Sequence, residues 1–155
     1  MSNLLLQSCS ASKRTVEGPI PAFDLYTGYF YRILKKAIRE GEIRSDIGIS
    51  ILSAEHGILD RSEVVSYYDR RMDTARAREL NESVVESIAS RVKESNYERV
   101  VVNMGETYRE ALTGLSDQVD VPLVAIAGTR IGEKGHHLYE FIRGDDSAVT
   151  ELTDV

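Results

Sequence analysis

The chain has 155 residues, a formal net charge of −6, 42% hydrophobic and 28% charged residues. That length suits one domain with a sizeable core, and the balance excludes a disordered chain. The acidic sum excludes a generally basic, nucleic-acid-coating surface and leaves room only for a local basic patch.

Cys9 is the one cysteine. It cannot form a disulfide within the chain or supply a cysteine-based metal site, so a reducing cytoplasm is the expected location. No apolar run approaches the ~20 residues that span a bilayer, so no membrane association is expected. The opening Met1-Ser2-Asn3-Leu4-Leu5-Leu6 lacks the basic region of a signal peptide and reads as the first strand. Most basic residues are arginine, which suits bidentate contacts to phosphate or carboxylate. A salt-adapted surface explains the same preference.

The first strand, Leu4 to Gln7, ends in Ser8-Cys9-Ser10-Ala11-Ser12-Lys13. Small and hydroxyl residues before a lysine make a plausible anion-binding turn. A plain polar loop explains them equally well. The glycines of a Walker loop are missing, and no cofactor is expected. Glu17 to Ala22 is a turn-rich connector. Asp24-Leu25-Tyr26-Thr27-Gly28 precedes a helix with Phe30, Ile33, Leu34, Ala37 and Ile38 at helical spacing, which stops near Gly41. Asp24 or Thr27 is the expected cap. Tyr26, Tyr29 and Tyr31 read as packing at the helix entry or as a stacking wall for a planar base.

Ile47 to Leu52 is a buried strand, and Ser53-Ala54-Glu55-His56-Gly57-Ile58-Leu59-Asp60 comes after it as a dense polar loop. Glu63 to Met72 is a second loop rich in polar and aromatic groups. A long helix runs from about Thr74 to Glu94 with Leu80, Val84, Ile88 and Val92 as its buried stripe. Arg76, Arg78, Glu79, Glu82, Glu86 and Arg91 read as its solvated face. Glu98 to Asn103 is a β-branched strand ending at Met104-Gly105, and a short helix with Tyr108 and Leu112 ends at Gly114. Val121 to Ala127 is a fourth strand. A glycine-spaced loop, 127–135, leads into a last helix with Leu138, Phe141 and Ile142. Residues 1–144 are expected to form one domain and 145–155 a loosely ordered acidic tail.

Strands and helices alternate, which predicts a three-layer α/β sandwich around a mainly parallel four-stranded sheet. Ligands of such sheets bind outside the carboxyl ends of the strands. That rule gathers Ser8-Cys9-Ser10, Ser53-Ala54-Glu55-His56, Asn103-Met104-Gly105 and Gly128-Thr129 onto one edge. Glu55, His56, Asp60 and Asp69 are the expected catalytic groups, as proton carriers or orienting carboxylates. Ser8, Cys9, Ser10, Lys13, Asp24, Tyr26, Thr27, Gly28, Ser53, Gly57, Tyr68, Gly105 and Gly128 are the expected substrate-binding residues. Cys9 is a nucleophile only if a base such as His56 lies beside it, and a small buried residue otherwise. Consecutive His136 and His137 diverge by ~100° on a helix, so no metal site is expected.

Ser8-Cys9-Ser10 with Lys13, Asp24 to Gly28, Leu52 to Leu59, and Tyr68-Asp69 with Met72 together resemble a family pattern. They resemble an uncharacterised domain family of phages, bacteria and archaea related to the YaaA-like proteins. Gly132-Glu133-Lys134-Gly135-His136 with Leu138 resembles that family's end. More distantly, the chain is similar to the uracil-DNA-glycosylase-like domain of archaeosine tRNA-modifying enzymes. The resemblance spans about residues 4 to 143. It implies a uracil-DNA-glycosylase-like fold and a link to nucleic acids or modified bases. The chain lacks an obvious helix-hairpin-helix insertion and is acidic, which argues against autonomous duplex binding.

The expected function is handling of a nucleobase, nucleotide or nucleic acid, with N-glycosidic cleavage or base exchange as the reaction. A non-catalytic binding module in a modification, stress or defence system is the alternative. A partner subunit or a second copy of the chain is a possible further component.

Overall fold

The computed structural model of the protein describes residues 2–155. In chain order the elements are β1 (Asn3–Ser8), β2 (Ile20–Pro21), α1 (Ala22–Leu25), α2 (Tyr29–Arg39), β3 (Ile47–Ser53), β4 (Gly57–Asp60) and β5 (Val64–Val65). Then come α3 (Thr74–Ser95), β6 (Arg99–Asn103), α4 (Glu106–Arg109), β7 (Leu123–Ile126), α5 (Ile131–Ile142) and β8 (Val149–Glu151). Three single-turn 3₁₀ segments fill the loops after α4 and α5.

The sheet has six strands in the order β4-β3-β1-β6-β7-β8. The four strands read from the sequence are its parallel centre. The expectation of a four-stranded sheet is corrected by two short antiparallel edges, β4 against β3 and β8 against β7. Both are too short for a strand pattern to register. β4 lies within the expected polar loop 53–60, and β8 within the expected acidic tail. Ala148 and Leu152, both buried, anchor β8 at its two ends.

Alternation along the central strands builds three layers. Leu4, Leu6, Val100 and Val102 share a core cluster with Leu80, Val84 and Ile88 of α3. Leu5 and Val101 face the other way, onto Leu34 and Ala37 of α2 and Leu138, Phe141 and Ile142 of α5. Each of these buried Val, Leu, Ile and Phe side chains contributes about 1.5–3 kcal/mol. Asp73 caps α3, its carboxylate accepting from the Arg76 amide at 2.7 Å. The expected cap of α2 is corrected: Gly28 holds that position with no side-chain hydrogen bond, while Asp24 falls inside α1.

An ion cluster closes the amino ends of the strands. Arg44 donates to Asp46 at 2.6 Å and to Asp146 at 2.9 Å. Arg99 donates to Asp146 at 2.8 Å and to Asn3 Oδ1 at 2.7 Å. The Arg44 hydrogen bond holds the Asp46 carboxyl at about 2, below its ordinary 3.8. Arg99, then Arg44, lower Asp146 likewise. Depressed folded-state pKa values stabilise the fold above pH 4, and that contribution disappears as pH falls toward 2. Urea midpoints should therefore fall steeply between pH 4 and 2.5. An Asp46→Asn/Asp146→Asn variant should show a shallower fall, and an unaltered slope would assign the acid sensitivity to other carboxylates.

Candidate functional site

The site begins with what ends β1 and β3. Cys9 follows β1 directly, and its amide donates to the Leu52 carbonyl of β3 at 2.9 Å. The chain then turns along Ser10 to Lys13 and runs beside the exit of α1. Thr27 N donates to Ser12 O at 3.0 Å, and Arg14 N to Leu25 O at 2.8 Å. Ser10 Oγ accepts from the Gly28 amide at 3.3 Å and donates to Ser12 O at 2.7 Å. A Cβ on Gly28 would overlap Ser10. Ser10, Thr27 and Gly28, expected as ligand contacts, thus hold this turn against the start of α2. The Ser8 carbonyl accepts from Tyr31 Oη at 2.9 Å.

Ser53, the last residue of β3, is a hub. Its Oγ accepts from the amides of Glu55 at 3.2 Å and His56 at 3.1 Å, and donates to Tyr68 Oη at 2.8 Å. Tyr68 and Tyr26 hydroxyls share a 2.5 Å hydrogen bond. Gly57 takes a φ of +73° and closes the turn into β4. Arg76 clamps the same turn, donating to Ala54 O at 2.7 Å and Glu55 O at 2.8 Å. Its expected place on a solvated face is corrected by this contact.

Tyr26 is fully buried rather than a stacking wall. Burial raises its hydroxyl from 10.0 to about 12, against the lowering effect of the Tyr68 hydrogen bond. Desolvation also raises Tyr31, Tyr68 and Tyr108, so all four phenols stay neutral donors at ordinary pH. Tyr68→Phe removes the partner shared by Tyr26 and Ser53. It should cost about 1–3 kcal/mol in urea unfolding. A loss near zero would mean that water replaces the lost hydroxyl.

Two clefts open around Tyr68. The first holds about 420 Å³ and lies outside the carboxyl ends of β1 and β6. Cys9, Lys13, Asp69, Gly105 and Tyr108 line it, with Arg70, Arg71 and Glu106. Cys9 Sγ and Tyr108 Oη share a hydrogen bond at 3.2 Å. Lys13 Nζ sits 4.8 Å from the centre of the Tyr68 ring. The second cleft holds about 450 Å³ and is lined by Glu55, His56, Glu63, Ser66, Tyr67 and Tyr68 among others. His56 meets Tyr68 edge to face, ring centres 5.4 Å apart.

The expected catalytic quartet is therefore divided. Asp69 faces the first cleft, whereas Glu55 and His56 face the second. Asp60 leaves the edge: it lies opposite Ser50, three residues back along β3, and pairs with Arg91 at 3.1 Å. His56 is not beside Cys9 in the first cleft, whose thiol has Tyr108 as partner. Asp24 is exposed; burial lowers the basicity of Lys35, and the Asp24 carboxylate offsets only part of that. Gly128, at a φ of +122°, belongs to neither cleft; a Cβ there would press on Glu133 and Lys134.

Arg70, Arg71, Glu106 and Tyr108 are absent from the sequence-based set. The signal for the arginines is their place directly after Asp69 in a polar loop. That for Glu106 and Tyr108 is their place just past a strand-end glycine. Among the described residues, no group of three or more metal-ligating side chains comes together. Among the same residues no helix is long and apolar enough to cross a membrane. A larger cleft of about 1000 Å³ lies between α3 and residues 113–121, beside the amino ends of β6 and β7 and thus outside the strand-end crevice.

The profile of a family described as "Family of unknown function (DUF6884)" matches residues 4–140. No curated protein matches the sequence. Among solved structures, AF0587, described as a protein of unknown function, is similar with a TM-score of 0.52 and 16% identity. The likeness covers 97% of this chain and 46% of that one, so the chain spans about half the length of its structural neighbour. At that identity the match speaks for the α/β fold alone.

Proposed function

The chain belongs to DUF6884, a family of unknown function, and from its first cleft we propose that it binds a nucleotide unit and acts on its N-glycosidic bond. The observation that carries this is the meeting of three cations, two carboxylates and an aromatic wall in one cleft. Lys13, Arg70 and Arg71 would hold phosphate, the arginines through planar bidentate contacts. Arg71 forms no ion pair among the described residues, whereas Arg70 reaches Glu55 at 3.6 Å. Tyr108 would flank the base. Asp69 and Glu106 supply the two carboxylates that glycoside hydrolysis commonly uses, one as acid and one to stabilise the sugar cation or activate water.

The resemblance of Ser8 to Lys13, Leu52 to Leu59 and Tyr68-Asp69 to YaaA-like and uracil-DNA-glycosylase-like proteins supports the same reading. Fold kinship alone does not fix an activity, so the cleft residues bear the argument. The test incubates the protein with nucleosides, nucleotides and oligonucleotides and measures released base by mass spectrometry. Free base from a phosphorylated substrate is the expected result. Binding of nucleotides without any base release would leave the non-catalytic module as the better reading.

A further inference from the structure

The second cleft is unused by this reading, yet it is built from groups that recognise a base. Tyr67 is 47% exposed, and Val64 beside it is 62% exposed. His56 is also exposed and is fixed by Ser53 at its amide and by Tyr68 at its ring. Glu55, Glu63 and Ser66 surround these rings with hydrogen-bond acceptors. Both clefts are walled by one continuous strap. Ser66, Tyr67 and Tyr68 line one side, and Asp69, Arg70 and Arg71 the other. The strap carries no regular structure between β5 and α3. Tyr68 anchors its middle through Ser53 and Tyr26, and buried Met72 lies near its end. The two clefts are therefore held at a fixed spacing of a few residues, on the order of 10 Å.

We infer that the second cleft is a subsite for the neighbouring base of a single-stranded nucleic acid, so that the ligand is a dinucleotide or longer single strand. The inference rests on the nucleotide reading of the first cleft. The phosphate lies at Lys13, Arg70 and Arg71. The adjoining base crosses Tyr68 and stacks on Tyr67, with His56 at its edge, and carboxylates around it favour a base bearing an amino group. A single strand fits because stacking on a side chain requires an unstacked base, which a duplex does not offer. The acidic charge fits as well, since few phosphates need be engaged.

The test is an affinity series at one salt concentration with a nucleoside 5′-monophosphate, a dinucleotide, a short single strand and the matching duplex. Each is measured on the intact protein and on the Tyr67→Ala variant, a surface change that the fold tolerates. The dinucleotide and the single strand should bind roughly 5–150-fold tighter than the monophosphate. Tyr67→Ala should remove that gain and leave monophosphate affinity unchanged, and the duplex should bind no better than the monophosphate. A dinucleotide no tighter than the monophosphate overturns the subsite and spares the first cleft. Equal weakening of both ligands by Tyr67→Ala does the same. No binding of any of the four probes overturns both readings together.

Discussion

Phe141→Ala should lower the stability of the protein by about 3–5 kcal/mol. Phe141 is fully buried on the inner face of α5 and packs with Leu5, Val101 and Leu34. Its removal opens a cavity under one whole layer. The ring has a second task. Arg44 Cζ lies 4.8 Å and Arg99 Cζ 5.4 Å from its centre. Both guanidiniums are shielded, with side-chain exposures of 9% and 11%. The aromatic face is thus part of what compensates two cations withdrawn from water. For a chain of this length each kcal/mol shifts the thermal midpoint by roughly 2–4 °C, so a drop of about 6–20 °C is expected. Phe141→Leu separates the two tasks, because it keeps most of the apolar volume and removes the π face. A Leu variant with the full loss would make the cation contacts the main term. A Leu variant that loses under about 1.5 kcal/mol assigns the effect to packing.

The parallel centre of the sheet is readable because each central strand is a short apolar run between turn signals. Leu4 to Gln7 and Val100 to Asn103 announce burial on both faces without tertiary information. The edges are not readable, for a physical reason. β4 and β8 have four and three residues, and they are strands only because β3 and β7 offer open edges to pair with. Asp60 is displaced by that pairing. As part of a loop it would sit at the ligand edge; as part of a hairpin it folds back three residues and meets Arg91. The start of the last helix is hidden for a similar reason. Its first turn contains Gly132 and its second Gly135, both signals of a loop. Position 135 takes glycine because Tyr29 of α2 lies against it, and a Cβ there would overlap that ring.

That the carboxyl ends of β1 and β6 meet at one cleft is also legible, since a parallel sheet gathers its strand ends on one edge. Which side chains face which cleft is not. That depends on the path of the strap from Ser66 to Met72, whose lack of period conceals which residues turn inward. Tyr68, expected to contact ligand, also ties the strap to Ser53 and Tyr26. Arg76 has the spacing of a solvated helix face, yet it caps the carbonyls of a neighbouring turn.

The division of the clefts yields the sharpest functional expectation. If the first cleft performs N-glycosidic chemistry, the reacting sugar lies among Asp69, Glu106 and Tyr108, away from His56. On a mononucleotide substrate, Asp69→Asn and Glu106→Gln should each reduce kcat by about 10²–10⁴-fold, the usual scale for a positioned acid or base. Their KM values should change little, because these groups act on charge that develops in the transition state. Lys13→Ala and Arg71→Ala should do the opposite, raising KM with a smaller effect on kcat, since phosphate contacts exist in ground and transition states alike. His56→Ala should leave mononucleotide turnover nearly intact, although His56 carries the most familiar proton-transfer chemistry in the sequence. Single-turnover rates across the five variants separate these outcomes. A large kcat loss in His56→Ala with Asp69→Asn unaffected would move the chemistry into the second cleft and make Tyr68, which lines it, the wall on which the reacting base lies.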